Sequence, residues 1–587
     1  MPSRAREENV SFYRTLSEMT RMQDSSVANR PTMLFDLIAK NVYAKNPRPA
    51  VILTDPLNIE GPLTSVGYSE LATRSLRIAS GFASLGAKTG DRIGVILPNG
   101  TEFLEAWFAS SVIGAVFVPF NFALKGEMLA FQLEDSGVSV LCVEERLAQN
   151  LANVKMPRNV HAIVVARRER ISEPEDSIPI PRGIVRREMS ELRNFDEFTS
   201  ELWSAPSIGE AKDSQADLQP ASILYTSGTT GSPKGVVLTH RAYLNRASEV
   251  TALLDAKPDA GDIFLNALPM FHTSGQVMTT LPAFLNGGTV VIEEWFHASR
   301  FWKIARKTGS RFSFLLMTML NSLLKRKESY VKSELERILC GGASASIWRE
   351  FEESFKVKLL EGFGMTETCG IAIFNKFDDY RVGSIGKPLP SVDAKIEYEG
   401  TEKPTPRKIG EICLRPKIVG TMMIGYHNGE LEAGSINASR STWLHTGDVG
   451  YVDEDGFFYF IERMKDIIRR RGENIAPSDI ERSVSTHPLV LECCAVGEKS
   501  ELGEEDVVLY LVLKEKGALG DPKSFVQWLD RELPFYMMPR TIRIVEALPK
   551  TANQKIQRAK VKEGQVTVIS EINLEALGFR PTRLPLG

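Results

Sequence analysis

Residues 225–240, YTSGTTGSPKGVVLTH, bring three glycines (Gly228, Gly231, Gly235), six serine or threonine hydroxyls and one cation, Lys234, into a short segment. Glycines let successive backbone amides converge on an anion, and hydroxyls and an ammonium add donors and charge. Holding phosphate is the chemistry these residue types suit. The segment is not a Walker A loop, which requires Gly-Lys-Ser/Thr. Here Pro233 precedes Lys234 and Gly235 follows it, which removes a backbone donor and the metal-binding hydroxyl. A plain surface turn would leave so many donors between two apolar runs unexplained.

Further groups recur downstream. LPMFHTSG (268–275) carries His272, CGGASAS (340–346) is glycine-rich, and EGFGMTET (361–368) offers Glu361, Thr366 and Glu367. WLHTGDVGY (443–451) offers Asp448, IERMKDIIRRRGENI (461–475) is basic, and LPKTANQKIQR (548–558) contains Lys555. Taken singly, each has a bland reading. A Thr-Glu pair opens helices, TGD makes turns, an arginine run is a solvated face, and Phe363 suits a core. His272 has no ligand-spaced His/Cys/Asp cluster around it, so it is not read as a metal ligand.

In this order, over roughly residues 60–560, the motifs resemble those of the adenylate-forming superfamily: acyl-CoA synthetases, luciferase-type enzymes and adenylation domains. Within it, WLHTGDVGY and IERMKDIIRRRGENI are most similar to carnitine and crotonobetaine CoA ligases and related acyl-CoA ligases. The resemblance implies an AMP-forming acid-thiol ligase using ATP, Mg2+ and coenzyme A. A carboxylate attacks the α-phosphorus of ATP, pyrophosphate leaves, and a thiol then displaces AMP from the acyl-adenylate. Repulsion between carboxylate and triphosphate makes charge handling the main task. Two readings compete: transfer to a carrier-protein thiol or an amine, and an inactive nucleotide-binding regulator. Intact Lys234, Glu367, Asp448 and Lys555 argue against the regulator.

The resemblance also implies roles. Thr226, Ser227, Gly228, Thr229, Thr230, Gly231 and Lys234 would hold the β- and γ-phosphates, Thr366 the α-phosphate, and Glu367 a magnesium ion. Gly341, Gly342, Ala343 and Phe363 would form the adenine slot, with Glu361 and Gly362 grouped as nucleotide-binding. Asp448 and Arg463 would take the ribose. Lys555 would neutralise the carboxylate and the α-phosphate as they meet; Gln554 stands where the family usually has glycine. Lys465 matches the hinge about which the small domain rotates between half-reactions. Arg471, Gly472 and Glu473 would then shape the thiol channel, Arg471 replacing a usual glycine, and the arginines 469–471 would attract CoA phosphates. His272 would gate the acyl pocket, lined by 273–276, FLLMTML (314–320) and Gly341, whose mainly apolar character selects no particular acid.

These groups need a frame. YSELATRSLRIASGFASLG has helical spacing and ends in Gly86, DRIGVILPNG reads as a buried strand and turn, and TEFLEAWFASSVIG opens another helix. Such alternation predicts a mostly parallel sheet covered by helices. The fold class is α/β: a large multi-layered N-terminal domain (31–464) with α/β sheets plus a small mobile C-terminal α+β domain (465–565). An extension (1–30) and a tail (566–587) flank them. Residues 168–219, charged and proline-containing, read as an irregular surface excursion.

Lys+Arg 71 against Asp+Glu 74 in 587 residues gives no field that would attract nucleic acid or an anionic membrane. AWFASSVIGAVFVPFNFAL (106–124) is uncharged, but Gly114, Pro119 and Asn121 interrupt it, so it reads as a buried helix turning into a strand. Six cysteines without a C-x-x-C pair fit a reducing compartment. The first thirty residues carry no signal pattern. The expectation is a cytoplasmic enzyme without integral membrane association, acting on a small-molecule carboxylic acid and CoA in fatty acid metabolism, with a homodimer as the assembly considered.

Overall fold

The computed structural model describes residues 33–56, 58–152, 154–167, 184–195, 216–226, 233–257, 260–398, 407–427, 443–463, 468–470, 473–475, 477–500, 503–514, 519–550 and 556–581. Strands such as Val140–Glu144 and Ala162–Ala166 are buried at every position. A strand apolar on both faces needs cover on both, which helices on the two faces of a parallel sheet supply.

Two large sheets result. In one, Lys358–Met365, Arg337–Gly341, Phe312–Leu316, Ile263–Asn266, Thr289–Ile292 and Pro49–Leu53 lie side by side and parallel. Gly370–Phe374, Lys387–Pro388 and Thr64–Gly67 continue it antiparallel at its two ends. In the other, Pro220–Thr226, Val116–Pro119, Arg92–Ile96, Val140–Glu144, Ala162–Ala166 and Val185–Glu188 are parallel. Lys234–Thr239 pairs antiparallel with Pro220–Thr226, so the phosphate-type segment joins two adjacent strands. Thr239 then caps the helix His240–Leu254, its hydroxyl accepting the Ala242 N–H at 3.1 Å.

The uncharged stretch 106–124 folds as expected. It runs from the helix Thr101–Val112 through Gly114, at φ +68, into the strand Val116–Pro119, buried except at Glu102 and Gly114. Among the described residues no helix is long and apolar enough to cross a membrane. All six cysteines are buried thiols outside disulfides.

The surface excursion at 168–219 needs correction in part. Val185–Glu188 is the edge strand of the second sheet, and the helix Met189–Arg193 buries Met189 and Leu192. Arg193 meets the fully buried Glu105 at 2.8 Å. An edge strand tolerates charged side chains, so VRRE carries no apolar periodicity to betray it; residues 168–183 and 196–215 lie outside the described residues.

A smaller antiparallel sheet follows, in the order Val392–Glu397, Gly410–Pro416, Leu444–Val452, Phe458–Arg463. After it come the hairpin Ile468–Arg470 with Glu473–Ile475 and a final sheet of Val490–Lys499, Glu505–Leu513, Thr541–Val545 and Val568–Asn573. Helices Pro477–Ser485 and Pro522–Glu532 accompany that sheet. The final sheet continues into the segment the sequence reading set apart as a tail, and Leu574 is buried beneath it. Lys465 and residues 1–30 lie outside the described residues. The C-terminal part docks on the first: Asn121 Nδ2 donates to the Tyr536 hydroxyl at 3.0 Å, and Lys125 Nζ to the Asp530 carbonyl at 3.1 Å.

Candidate active site

Parallel register decides where the motifs meet. Leu316 lies beside Gly341 and Gly341 beside Gly362, so two motif strands end at the level where the third passes Gly362 on its way to Met365. Open α/β sheets place ligands outside such carboxyl ends. A cleft of about 830 Å3 opens there, walled on one side by the large sheets and on the other by Arg469, Glu473, Asp479 and residues 535–537.

At the GGA turn and on the strand beside it, glycine is required for different reasons. A Cβ on Gly362 would lie 1.8 Å from the Phe374 ring, and Gly342 has φ +89, so both positions require glycine. Glu361, grouped with the nucleotide binders from sequence, turns its carboxylate onto the turn itself. It accepts the Gly342 N–H at 2.6 Å and the Ala343 N–H at 2.7 Å, with the Cys340 thiol donating at 3.1 Å. Burial pushes this carboxyl up to about 7, against the pull of these hydrogen bonds and of Arg469. Phe363 and Phe460 stack at 6.3 Å with ring planes 26° apart, and both line the cleft.

Thr366 and Glu367 sit on the short turn Thr366–Thr368, which ends in Cys369 at φ 56. Arg246, fully buried, fixes this turn by donating to the Thr368 carbonyl at 3.0 Å while pairing with Glu249. Glu367, itself buried, accepts the Tyr426 hydroxyl at 3.0 Å. Lys234 Nζ lies 4.9 Å from the centre of the Tyr426 ring. Tyr426 reaches this position because Gly425–Tyr426 pairs antiparallel with Lys234–Thr239. Its phenol is raised well above the usual range by burial and by Glu367.

Asp448 is buried, with its N–H on the Thr446 hydroxyl at 3.1 Å, and stands opposite Arg463 in the ladder. His272 caps the turn that leads to Gly275, where a Cβ would lie 2.4 Å from the Pro269 carbonyl. Its Nε2–H donates to the Glu473 carboxylate at 3.0 Å, joining the first lobe to the hairpin of the second. The two described arginines of that hairpin differ. Arg469 faces the GGA turn, its Nη1 3.8 Å from where a Gly342 Cβ would stand. Arg470 is buried against Asp506 at 3.2 Å and the Tyr536 carbonyl at 3.1 Å, so it is not a solvated cation for CoA phosphates. Arg471 and Gly472 lie outside the described residues, as do Ser227, Gly228, Thr229, Thr230, Gly231 and Lys555.

The cleft therefore gathers Thr226, His272, Gly341, Gly342, Glu361, Gly362, Phe363, Thr366, Glu367, Asp448 and Glu473 on one wall or another. Its apolar end includes Phe314, Leu316 and Met319, with Phe271, Phe122 and Trp295 packed edge to face at 5.2 and 5.4 Å. Tyr426, Arg246, Phe460 and Trp295 were not foreseen. No spacing rule marks a tyrosine 59 residues from its carboxylate partner.

Residues 39–427 match the family model described as AMP-binding enzyme, and 479–555 match that of the AMP-binding enzyme C-terminal domain. A crotonobetaine/carnitine–CoA ligase of Salmonella paratyphi C is 31% identical over 509 residues, covering 86% of this chain and 94% of that one. Among solved structures, a double mutant of o-succinylbenzoate CoA synthetase from Bacillus subtilis, bound with its product analogue, superposes with a TM-score of 0.72 at 26% identity, over 91% of this chain and 99% of that one. The same enzyme in complex with its acyl-adenylate intermediate gives 0.57 at 27% identity, over 90% of this chain and 97% of that one. With protein and coverage nearly constant, the difference in score reflects the arrangement of the backbone. This chain lies closer to the analogue-bound one.

Proposed function

The chain belongs to the AMP-binding enzyme family, and from that premise we propose how it works as an ATP-dependent acid:CoA ligase, forming an acyl-adenylate and then the thioester. The observation that carries the reading is the His272–Glu473 hydrogen bond, which closes the hairpin of one lobe over the cleft of the other. The relatives' names favour CoA as acceptor over a carrier-protein thiol or an amine.

Lys234, Thr226 and Thr366 orient the phosphates, together with residues 227–231. Glu367 suits magnesium: it is a hard, buried oxygen donor beside Lys234 and Tyr426, and this ion takes one carboxylate along with phosphates and waters. When bound, the ion supplies charge neutralisation across the phosphate oxygens. Gly341, Gly342 and Ala343, held by Glu361, approach the purine through backbone, Phe363 and Phe460 cover it, and Asp448 with Arg463 takes the ribose hydroxyls. Removing one such preorganised donor costs on the order of 10²–10³ in rate, which is the scale expected for Lys555 in the adenylating arrangement.

The two half-reactions need different groups at one nucleotide site. The described arrangement supports the thiol step: Glu473 accepts from His272, and Phe535, Tyr536 and Met537 line the cleft beside it. Rotation about Lys465 exchanges this hairpin for Lys555. The acid binds through its carboxylate near His272, its tail among Phe314, Leu316 and Met319. A panel of carboxylic acids assayed with ATP, with and without CoA, tests the reading. AMP, pyrophosphate and acyl-CoA are the expected products, and ADP with orthophosphate would overturn it.

A further inference from the structure

Away from the cleft, one face of the small antiparallel sheet gathers three metal-ligating side chains from three adjacent strands. Cys413 stands directly opposite His445 in the ladder, and Glu397 directly opposite Glu411, two residues along from Cys413. The Glu397 carboxylate lies 3.5 Å from the Cys413 sulfur, and the His445 Nδ1 lies 3.6 Å from it on the other side. His445 Nε2 is 4.0 Å from Glu397. One donor atom from each of these residues falls within 4.8 Å of the others, the one such group among the described residues.

Those separations have a chemical meaning. Zinc binds sulfur at about 2.3 Å and nitrogen or oxygen at about 2.0–2.2 Å, so the edges of a tetrahedral site are roughly 3.4–3.6 Å. The sulfur-to-carboxylate separation matches such an edge, and because Glu411 holds Nδ1, Nε2 is the nitrogen that faces the metal, 4.0 Å from Glu397. The ladder adds a second indication. Carboxylates placed directly opposite one another destabilise a sheet unless a cation lies between them, and Glu397 faces Glu411 in this way. Lys395 meets that need at Glu397, at 2.9 Å, and the His445 ring is the basic group against Glu411, at 2.8 Å. Glu411 holds the imidazole Nδ1 at 2.8 Å and accepts the Gly447 N–H at 2.8 Å, the kind of carboxylate that orients a metal-bound histidine from behind.

We propose that Cys413, His445 and Glu397 form a zinc-type site that clips Val392–Glu397, Gly410–Pro416 and Leu444–Val452 together, with a water in the fourth position. Such an ion stabilises the fold by binding only where the three strands are paired. The site lies behind the turn that carries Asp448, because Glu411 grips Gly447, and it takes no part in the ligase chemistry.

The test is a titration of metal-free full-length protein with Co2+. The sulfur-to-cobalt charge-transfer band should saturate at one ion per chain and be displaced by Zn2+. It should vanish in Cys413→Ser, and cobalt affinity should fall about tenfold or more in His445→Ala, the scale on which ligand and supporting-shell losses act. No band in the wild type overturns the proposal, as does a band that persists in Cys413→Ser. Should Cys413→Ser fail to fold, the largely exposed His445 carries the test, and unchanged cobalt affinity in His445→Ala overturns it.

Discussion

The Tyr426 hydroxyl donates to the Glu367 carboxylate at 3.0 Å, while its ring lies under the Lys234 ammonium at 4.9 Å. One phenol thus ties the proposed phosphate cation to the proposed magnesium ligand.

Tyr426→Phe keeps the ring and removes the hydrogen bond. A bond to a charged group contributes about 1.5–3 kcal/mol. The kcat/KM for Mg·ATP should therefore fall about tenfold or more, with little change in KM for the acid. Steady-state kinetics with each substrate varied would check this, and equal losses for both substrates would refute it.

Glu473→Gln weakens the contact with His272 only in the arrangement that joins the lobes. Acyl-CoA formation should slow by about tenfold or more, while acid-dependent pyrophosphate exchange stays at the wild-type level. Single-turnover measurement of the two half-reactions separates these outcomes. An equal loss in both would remove Glu473 from the thiol step.

Burial raises Glu361 from 4.5 to about 7 in the folded chain. The native state then holds a proton that the unfolded chain releases. This stabilisation is complete below about pH 4.5 and is lost as pH rises towards 7. Its full span is on the order of 3 kcal/mol. Glu361→Gln cannot titrate, so the difference in urea midpoint between variant and wild type should shrink from pH 5 to pH 7. The variant also leaves one loop N–H poorly paired. It should therefore be less stable at pH 5 and raise the KM for ATP at both pH values. A constant gap across the range would show that Glu361 does not titrate there.

Arg246→Met breaks a buried ion pair and should cost about 3–5 kcal/mol, because Glu249 is left without its cation. Adding Glu249→Leu should recover part of that stability, because it removes the unpaired carboxylate but also the acceptor of the Ser391 N–H and hydroxyl. It should not recover the KM for Mg·ATP, since the Thr368 carbonyl still lacks its donor and the turn bearing Thr366 and Glu367 stays loose. Thermal unfolding and kinetics on the two variants check this, and recovery of both quantities together would mean that Arg246 serves stability alone.

Local chemistry in the chain was enough to propose the kind of site and to name the family. Glycines, hydroxyls and Lys234 between two apolar runs have the chemistry expected of a phosphate loop, and the order of later motifs matches the family. The apolar run at 106–124 could be assigned to the core because Gly114, Pro119 and Asn121 break it. These are short-range facts, set by backbone freedom and periodicity within a few residues.

What folding alone decided is which groups face each other. Glu361 reads as a ligand-binding acid in the chain, yet parallel register puts it under the GGA turn, where it serves the loop. The arginines 469–471 read as one basic run, yet strand alternation turns Arg469 towards the cleft and buries Arg470 on Asp506. Tyr426 reaches Glu367 across 59 residues and His272 reaches Glu473 across 201. Sheet register and lobe docking set such partnerships, and neither leaves a trace in spacing along the chain, because a hydrogen bond depends on distance in space and not on separation in sequence.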